Sequence, residues 1–325
     1  MEQGERARLS GAYRRFAEDE AKGKSPLYEE LAHGVAADNE ILDFLMTLPR
    51  QKRQPNLLFA AARSLLGTPA DWYRFRRGIV QRKDALHALM LIRSTQTNEP
   101  GRCAVLLLIL ASLPQPLALL EIGASAGLCL LPDFYGYDYG GRRLRPEGAH
   151  EETPTFPCAV TGAAPLPDML PNVVWRAGLD LDPIDLSDPG QVAWLEALVW
   201  PEQTDRLARL RAAIAIATAN KPRLVEGDLR RDLARLAGEM PRDATRVIFH
   251  TAVLPYVASA IERAEFTRSV RSLCDVWISN EAPQTVPEIA ARAATPGGPG
   301  QFLLAANGTP VAWTDPHGAS LAWIG

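Results

Sequence analysis

The stretch LALLEIGASAGLCLL, residues 117–131, holds the residue types that point most directly to chemistry. An apolar run reaches Glu121, and small residues follow at alternate positions: Gly123, Ser125 and Gly127. Small residues let a backbone turn tightly and lie close to a ligand. An acid at the end of a strand sits where open α/β sheets bind ligands, and there it suits a cationic group better than a pyrophosphate. S-adenosylmethionine carries an ammonium and a sulfonium and no phosphate, so the acid turns the reading toward that cofactor and away from NAD.

Further polar residues follow apolar runs later in the chain. Asp138 closes FYGYD, Asp180 and Asp182 close VVWRAGLDLD, and Asp228 with Leu229 follows RLVEG. His250 and Thr251 follow RVIF, and Asn280 and Glu281 follow VWIS. A histidine at a strand end is often a packed residue; at the carboxyl edge of a parallel sheet it is also placed as a general base. Asn280 and Glu281 end a strand on the same edge and are candidate substrate contacts. The polar segment RSTQTNEPGRC, residues 93–103, starts a helix at Asn98, Glu99 and Pro100. Its functional reading is a cap over the cleft formed by Gln96, Asn98, Glu99 and Arg102. His317 is explained by its Asp-Pro-His-Gly turn, and His33 and His87 by helix packing.

The elements that position these residues change character near residue 116. Before it, AYRRFAEDEA, LYEELAHGVAAD, EILDFLMTL, PNLLFAAARSLL and DALHALMLIR repeat apolar residues at three- and four-residue steps, with Pro55 and Asp84 at helix starts. Residues 1–116 are expected to form a helical region. After it, short apolar runs alternate with helical stretches, which predicts a doubly wound, mostly parallel sheet over 117–325. The end, QFLLAANGTPVAWTDPHGASLAWI, predicts three antiparallel strands joined at Asn307-Gly308 and at Asp315–Gly318. The Pro- and Gly-rich segment of about 140–172 is too long for an ordinary connection and is expected to be an insertion, a lid or small hairpin.

Composition narrows the classes. The formal net charge is −3 with no broad basic face, which disfavours nucleic acid. The four cysteines, Cys103, Cys129, Cys158 and Cys274, lie far apart without zinc spacing, so no metal site is expected and a reducing, cytoplasmic compartment fits. The polar start MEQGERARLSGAYRRF is no signal peptide, and the longest apolar run, residues 103–113, is too short to span a membrane.

Taken in order, these motifs resemble the class I S-adenosylmethionine-dependent methyltransferases. Glu121, Gly123 and Gly127 match that family's first motif, with Ser125 as a departure. The resemblance implies that the turn receives the methionine portion, that Asp138 or Asp180 holds the ribose, that Asp228 and Leu229 flank the adenine, and that His250 and Thr251 lie by the reactive methyl. Asp138 has the more usual distance and GLDLDP the more usual wording. A closer resemblance, carried by STQTNEPGRC, RAGLDLDPIDL, WLEALVWPEQTDRLARLRAAIAIA, VEGDL, FHTAVLPYV and WISNE, is to the bacterial domain-of-unknown-function family 2332. It contributes no substrate. The reading is methyl transfer to a small molecule. The alternatives are a non-catalytic cofactor-binding protein, an NAD-using enzyme on the same sheet, and an interaction module.

Overall fold

The computed structural model describes residues 2–96 and 98–325. The chain divides into two compact units, one of residues up to 96 with 187–208, the other of 98–186 with 209–325. The helical unit thus ends before residue 116 and regains a later segment.

The first unit holds the helices Glu2–Arg15, Pro26–Ala37, Asn39–Met46, Pro55–Leu66, Trp72–Gln81, Lys83–Ile92 and Pro189–Leu198. Local chemistry sets their starts. Ser25 accepts from Tyr28 N, Asp38 from Glu40 N and Ile41 N, and Asp71 from Arg74 N, while Pro26 and Pro55 open their helices with no N–H to satisfy. Tyr13, Phe16, Tyr28, Phe59 and Phe75 fill the core between them. No helix among the described residues is long and apolar enough to cross a membrane.

The second unit begins with the buried helix Cys103–Leu110. Among the described residues twelve strands follow: β1 (Leu117–Ile122), β2 (Gly136–Asp138), β3 (Arg143–Leu144), β4 (Thr155–Pro157), β5 (Ala159–Thr161), β6 (Val173–Asp180), β7 (Arg223–Glu226), β8 (Thr245–Thr251), β9 (Val276–Glu281), β10 (Phe302–Ala306), β11 (Thr309–Thr314) and β12 (Ser320–Trp323). Nine form one sheet in the order β5-β12-β11-β10-β9-β8-β1-β6-β7. The run β7-β6-β1-β8-β9 is parallel, and β9 to β12 is antiparallel. Asn307 and Gly308, with φ of 48° and 76°, close the β10–β11 turn as their sequence predicts. The segment of about 140–172 forms no lid. It supplies β3 and β4 to a three-stranded sheet with β2, and β5 to the edge of the main sheet.

Two features of this sheet position the site. From β1 the chain goes to β6 and β7 on one side, then returns to β8 and β9 on the other, so strand order reverses between β1 and β8. A crevice opens at the carboxyl ends of such strands. Alternation then divides the side chains. Leu120, Ile122, Leu179, Ile248 and Trp277 pack with Leu233, Phe266 and Ile289 on one face. Glu121, Thr251 and Asn280 alternate onto the other.

Gly178 lies beside Glu121 in the register of β6. A Cβ there would stand 2.3 Å from the Ala124 Cβ and 2.8 Å from a Leu224 methyl. Gly178→Ala is therefore expected to destabilise the chain by about 1–3 kcal/mol through overpacking, measured by denaturant melts. An unchanged midpoint would contradict this packing.

Candidate functional site

The turn after β1 is built from left-handed residues. Gly123, Ser125 and Gly127 have φ of 69°, 49° and 70°. Ser125 is held in that conformation from several sides. Its N–H donates to Asp180 Oδ2 at 2.8 Å, its carbonyl accepts from Ile184 N at 3.1 Å, and its hydroxyl accepts from Asn98 Nδ2 at 2.8 Å. Asn98 Oδ1 also accepts from Ala126 N at 2.9 Å. Asn98 thus braces the turn directly.

No α-helix follows the turn. Two short 3-10 turns, Leu128–Leu130 and Pro132–Phe134, lead instead to β2. Pro132 has no N–H to continue a helix and disfavours helical backbone at Leu131. The glycines also serve a different purpose from the expected one. A Cβ on Gly127 would meet Pro222 Cγ at 2.8 Å and Leu224 Cδ2 at 3.0 Å, and one on Gly123 would meet Val253 Cγ2 at 2.3 Å. Their bareness admits neighbouring protein side chains.

The two candidate acids for the second strand part company. β6 is the parallel neighbour of β1, so Asp180 ends beside the turn, with Oδ1 accepting from Asp182 N at 2.9 Å. Asp138 lies on β2 of the small sheet, where Gly140 N–H and then Arg143 hold its carboxyl below the usual range. Asp228 caps the helix Leu229–Ala237 and pairs with Arg230, which brings its carboxyl down to about 2. Leu229 packs against the core. Gln96 belongs to the first unit, and Asn98, Glu99 and Arg102 to the second.

A buried polar group occupies the face that carries Glu121. Glu121 is 4% exposed, and its Oε2 has no hydrogen-bond partner. Burial pushes its carboxyl well above the usual range, Cys129 adds to this, Arg102 opposes it, and Asp180 adds again. Arg102 Nη1 donates to both Thr251 O and Thr251 Oγ1 at 3.1 Å, and its Nε donates to Pro316 O at 2.8 Å. Asn280 Oδ1 accepts from Thr314 Oγ1 at 2.8 Å, and its Nδ2 is buried and unpartnered. Glu99 accepts from Gly101 N at 3.0 Å and lies 3.8 Å from His317 Nδ1.

His250 lies on the opposite face, inside the core rather than in the crevice. Its wholly buried ring stacks on Trp277 and meets Phe266 edge-on. Nδ1 lies 2.7 Å from Glu281 Oε1, which also accepts from Val253 N at 2.8 Å and Leu254 N at 3.2 Å. Glu281 thereby fixes a loop that contains Ala252 at φ 58° and sets Val253 on Gly123. Neither Val253 nor Thr314 stood out in the sequence, because each is an ordinary strand or loop residue until the sheet places it.

These features define a mixed α/β protein with a large, mostly parallel sheet and a buried polar group where its strand order reverses. Residues 10–323 match the family described as "Uncharacterized protein conserved in bacteria (DUF2332)", and the chain belongs to that family. No curated protein and no solved structure matches it.

The buried carboxyl of Glu121 gives a pH signature. In the unfolded chain it loses its proton near 4.5, and in the fold only well above that. Above 4.5 the unfolded state therefore binds fewer protons, and this group lowers stability as pH rises, by up to about 1.4 kcal/mol per pH unit until its folded-state value is reached. Glu121→Gln lacks this dependence. Its melting temperature relative to the parent is expected to climb between pH ~5 and pH ~8, and a constant difference would show that Glu121 ionises freely in the fold.

Proposed function

We propose that the second unit binds S-adenosylmethionine at the carboxyl ends of β1 and β6 and transfers its methyl group to a small molecule. The observation that carries this reading is the turn at 123–127. It stands where strand order reverses, with an unpartnered buried acid below it and an aspartate beside it. The strand order β7-β6-β1-β8-β9, followed by an antiparallel edge, supports a methyltransferase-type sheet. The sequential meander β10-β11-β12 and the missing helix after the turn are this chain's departures.

The residues fit the cofactor as follows. Asp180 keeps lone pairs free beyond its two amide bonds and can accept from two ribose hydroxyls. Leu181, 65% exposed next to it, offers an apolar surface to the adenine. This takes the place of Leu229, which packs into the core, and of Asp228, which is committed to Arg230. Glu121 receives the ammonium and gives up its proton to do so. The bound cofactor supplies an electrophilic methyl on a sulfonium. The chain's own contribution is positioning, because a fixed in-line approach replaces a bimolecular encounter. His250 acts through Glu281 by holding the loop at 252–254 and is a positioning residue. Its burial favours a second reading, in which the chain binds the cofactor without transferring the methyl.

Calorimetry with S-adenosylhomocysteine is expected to show binding, and NAD none. Asp180→Ala should raise Kd roughly ten- to a hundredfold, the scale of about 1.5–3 kcal/mol for a charge-assisted contact. Asp138→Ala should leave Kd unchanged. Binding of NAD in preference, or equal Kd values for both variants and the parent, would contradict the assignment. Label from S-adenosylmethionine appearing in a small-molecule extract separates the enzyme from the binder.

A further inference from the structure

Arg102 is a cation buried to 5% exposure with no carboxylate within 4 Å among the described residues. Buried charges are ordinarily paired, because an unmatched ion loses its hydration without return. Three N–H bonds to Thr251 and Pro316 orient the guanidinium without neutralising it. The nearby acids do not supply the charge. Burial favours the neutral form of Glu121, and Arg102, which is beyond ion-pair distance, opposes this only in part. The Glu99 carboxylate turns instead to Gly101 N–H and His317.

A second unmatched group stands alongside. Thr251, which Arg102 grips, is the register partner of Asn280 on β9. Neighbouring strands lie about 4.8 Å apart, and both side chains project from the same face. Asn280 is wholly buried. The Thr314 hydroxyl donates to its Oδ1, which turns the unpartnered Nδ2 the other way. A guanidinium and a carboxamide N–H that are both short of an acceptor match one group well, a carboxylate, which takes two donors on two oxygens.

We propose that Arg102 and Asn280 receive the carboxylate of a small-molecule ligand at the carboxyl ends of β8 and β9. That group can come from the amino-acid end of S-adenosylmethionine or from the methyl acceptor. The inference rests on the proposed function only for these two sources; the unmatched charge of Arg102 is independent of it.

The test uses the full chain and two pairs of probes. The first is S-adenosylhomocysteine against its decarboxylated amine analogue, which keeps the ammonium and lacks only the carboxylate. The second is acetate, benzoate and succinate against acetamide, benzamide and succinamide. Binding is read by calorimetry and by melting temperature. The expected result is a preference of at least about tenfold for the carboxylate in one pair. Preference in the first pair assigns the group to the cofactor, and preference in the second alone assigns it to the acceptor. Asn280→Asp places an acid beside Arg102 as a built-in counterion. It should abolish the preference while the melting temperature of the unliganded chain holds or rises, which loss of fold would not produce. Arg102→Gln should abolish the preference as well. If neither adenosine compound binds but a carboxylate preference depends on Asn280, this inference stands and the cofactor reading falls. A parent that discriminates in neither pair, or a preference that survives both substitutions, would overturn it.

Discussion

Side-chain acids accepting from loop amides are the interaction on which this edge of the sheet depends. The connections that leave parallel strands carry N–H groups that no strand ladder satisfies, and burying them unpaired is costly. Asp180 takes Ser125 N and Asp182 N on one side of β1. Glu281 takes Val253 N and Leu254 N on the other, along with the imidazole of His250. Each acid sits on a strand, so each loop is tied to the rigid part of the fold. The left-handed backbone at Ser125 and Ala252 persists because these ties over-determine it. Val253 on Gly123 then sets the two loops edge to edge.

The sheet separates two polar groups by face. His250 and Glu281 belong to the packed face with Trp277 and Phe266, where aromatic contacts fix the ring that fixes the acid. Glu121, Thr251 and Asn280 belong to the other, where Arg102 enters from the segment ahead of the helix Cys103–Leu110. The first group shapes a loop. Both leave buried polar atoms unmatched, His250 Nε2 and Glu281 Oε2 in the first and Glu121 Oε2 and Asn280 Nδ2 in the second. Only the second also holds a buried cation, Arg102, with no carboxylate within 4 Å among the described residues, so that face is where an anionic ligand can repay the cost of burial.

The strands carrying Glu121, Asp180, His250 and Glu281 were legible because parallel strands buried on both faces read as short apolar runs closed by polar residues. The β10–β11 turn was legible from Asn307-Gly308, whose positive φ values few other pairs adopt. What the sequence withheld is long-range. Asp138 and Asp180 both close apolar runs, and only strand pairing places one of them beside β1. His250 reads as an edge residue by number, yet its direction follows the pleat, which a strand's sequence leaves open until its neighbours are known. Pro132 did carry a local signal, one that stops a helix at the first motif. The end of the first unit ahead of Asn98 and the return of residues 187–208 come from contacts distant in sequence.

The most direct test of the central claim is a crystal structure of the full chain grown with S-adenosylhomocysteine. The ligand is expected at the carboxyl ends of β1 and β6, its ribose hydroxyls on Asp180 and its ammonium on Glu121, with Val253 displaced or resting against it. Density for the ligand at any other place on the second unit, or at that edge with Asp180 and Glu121 untouched, would contradict it.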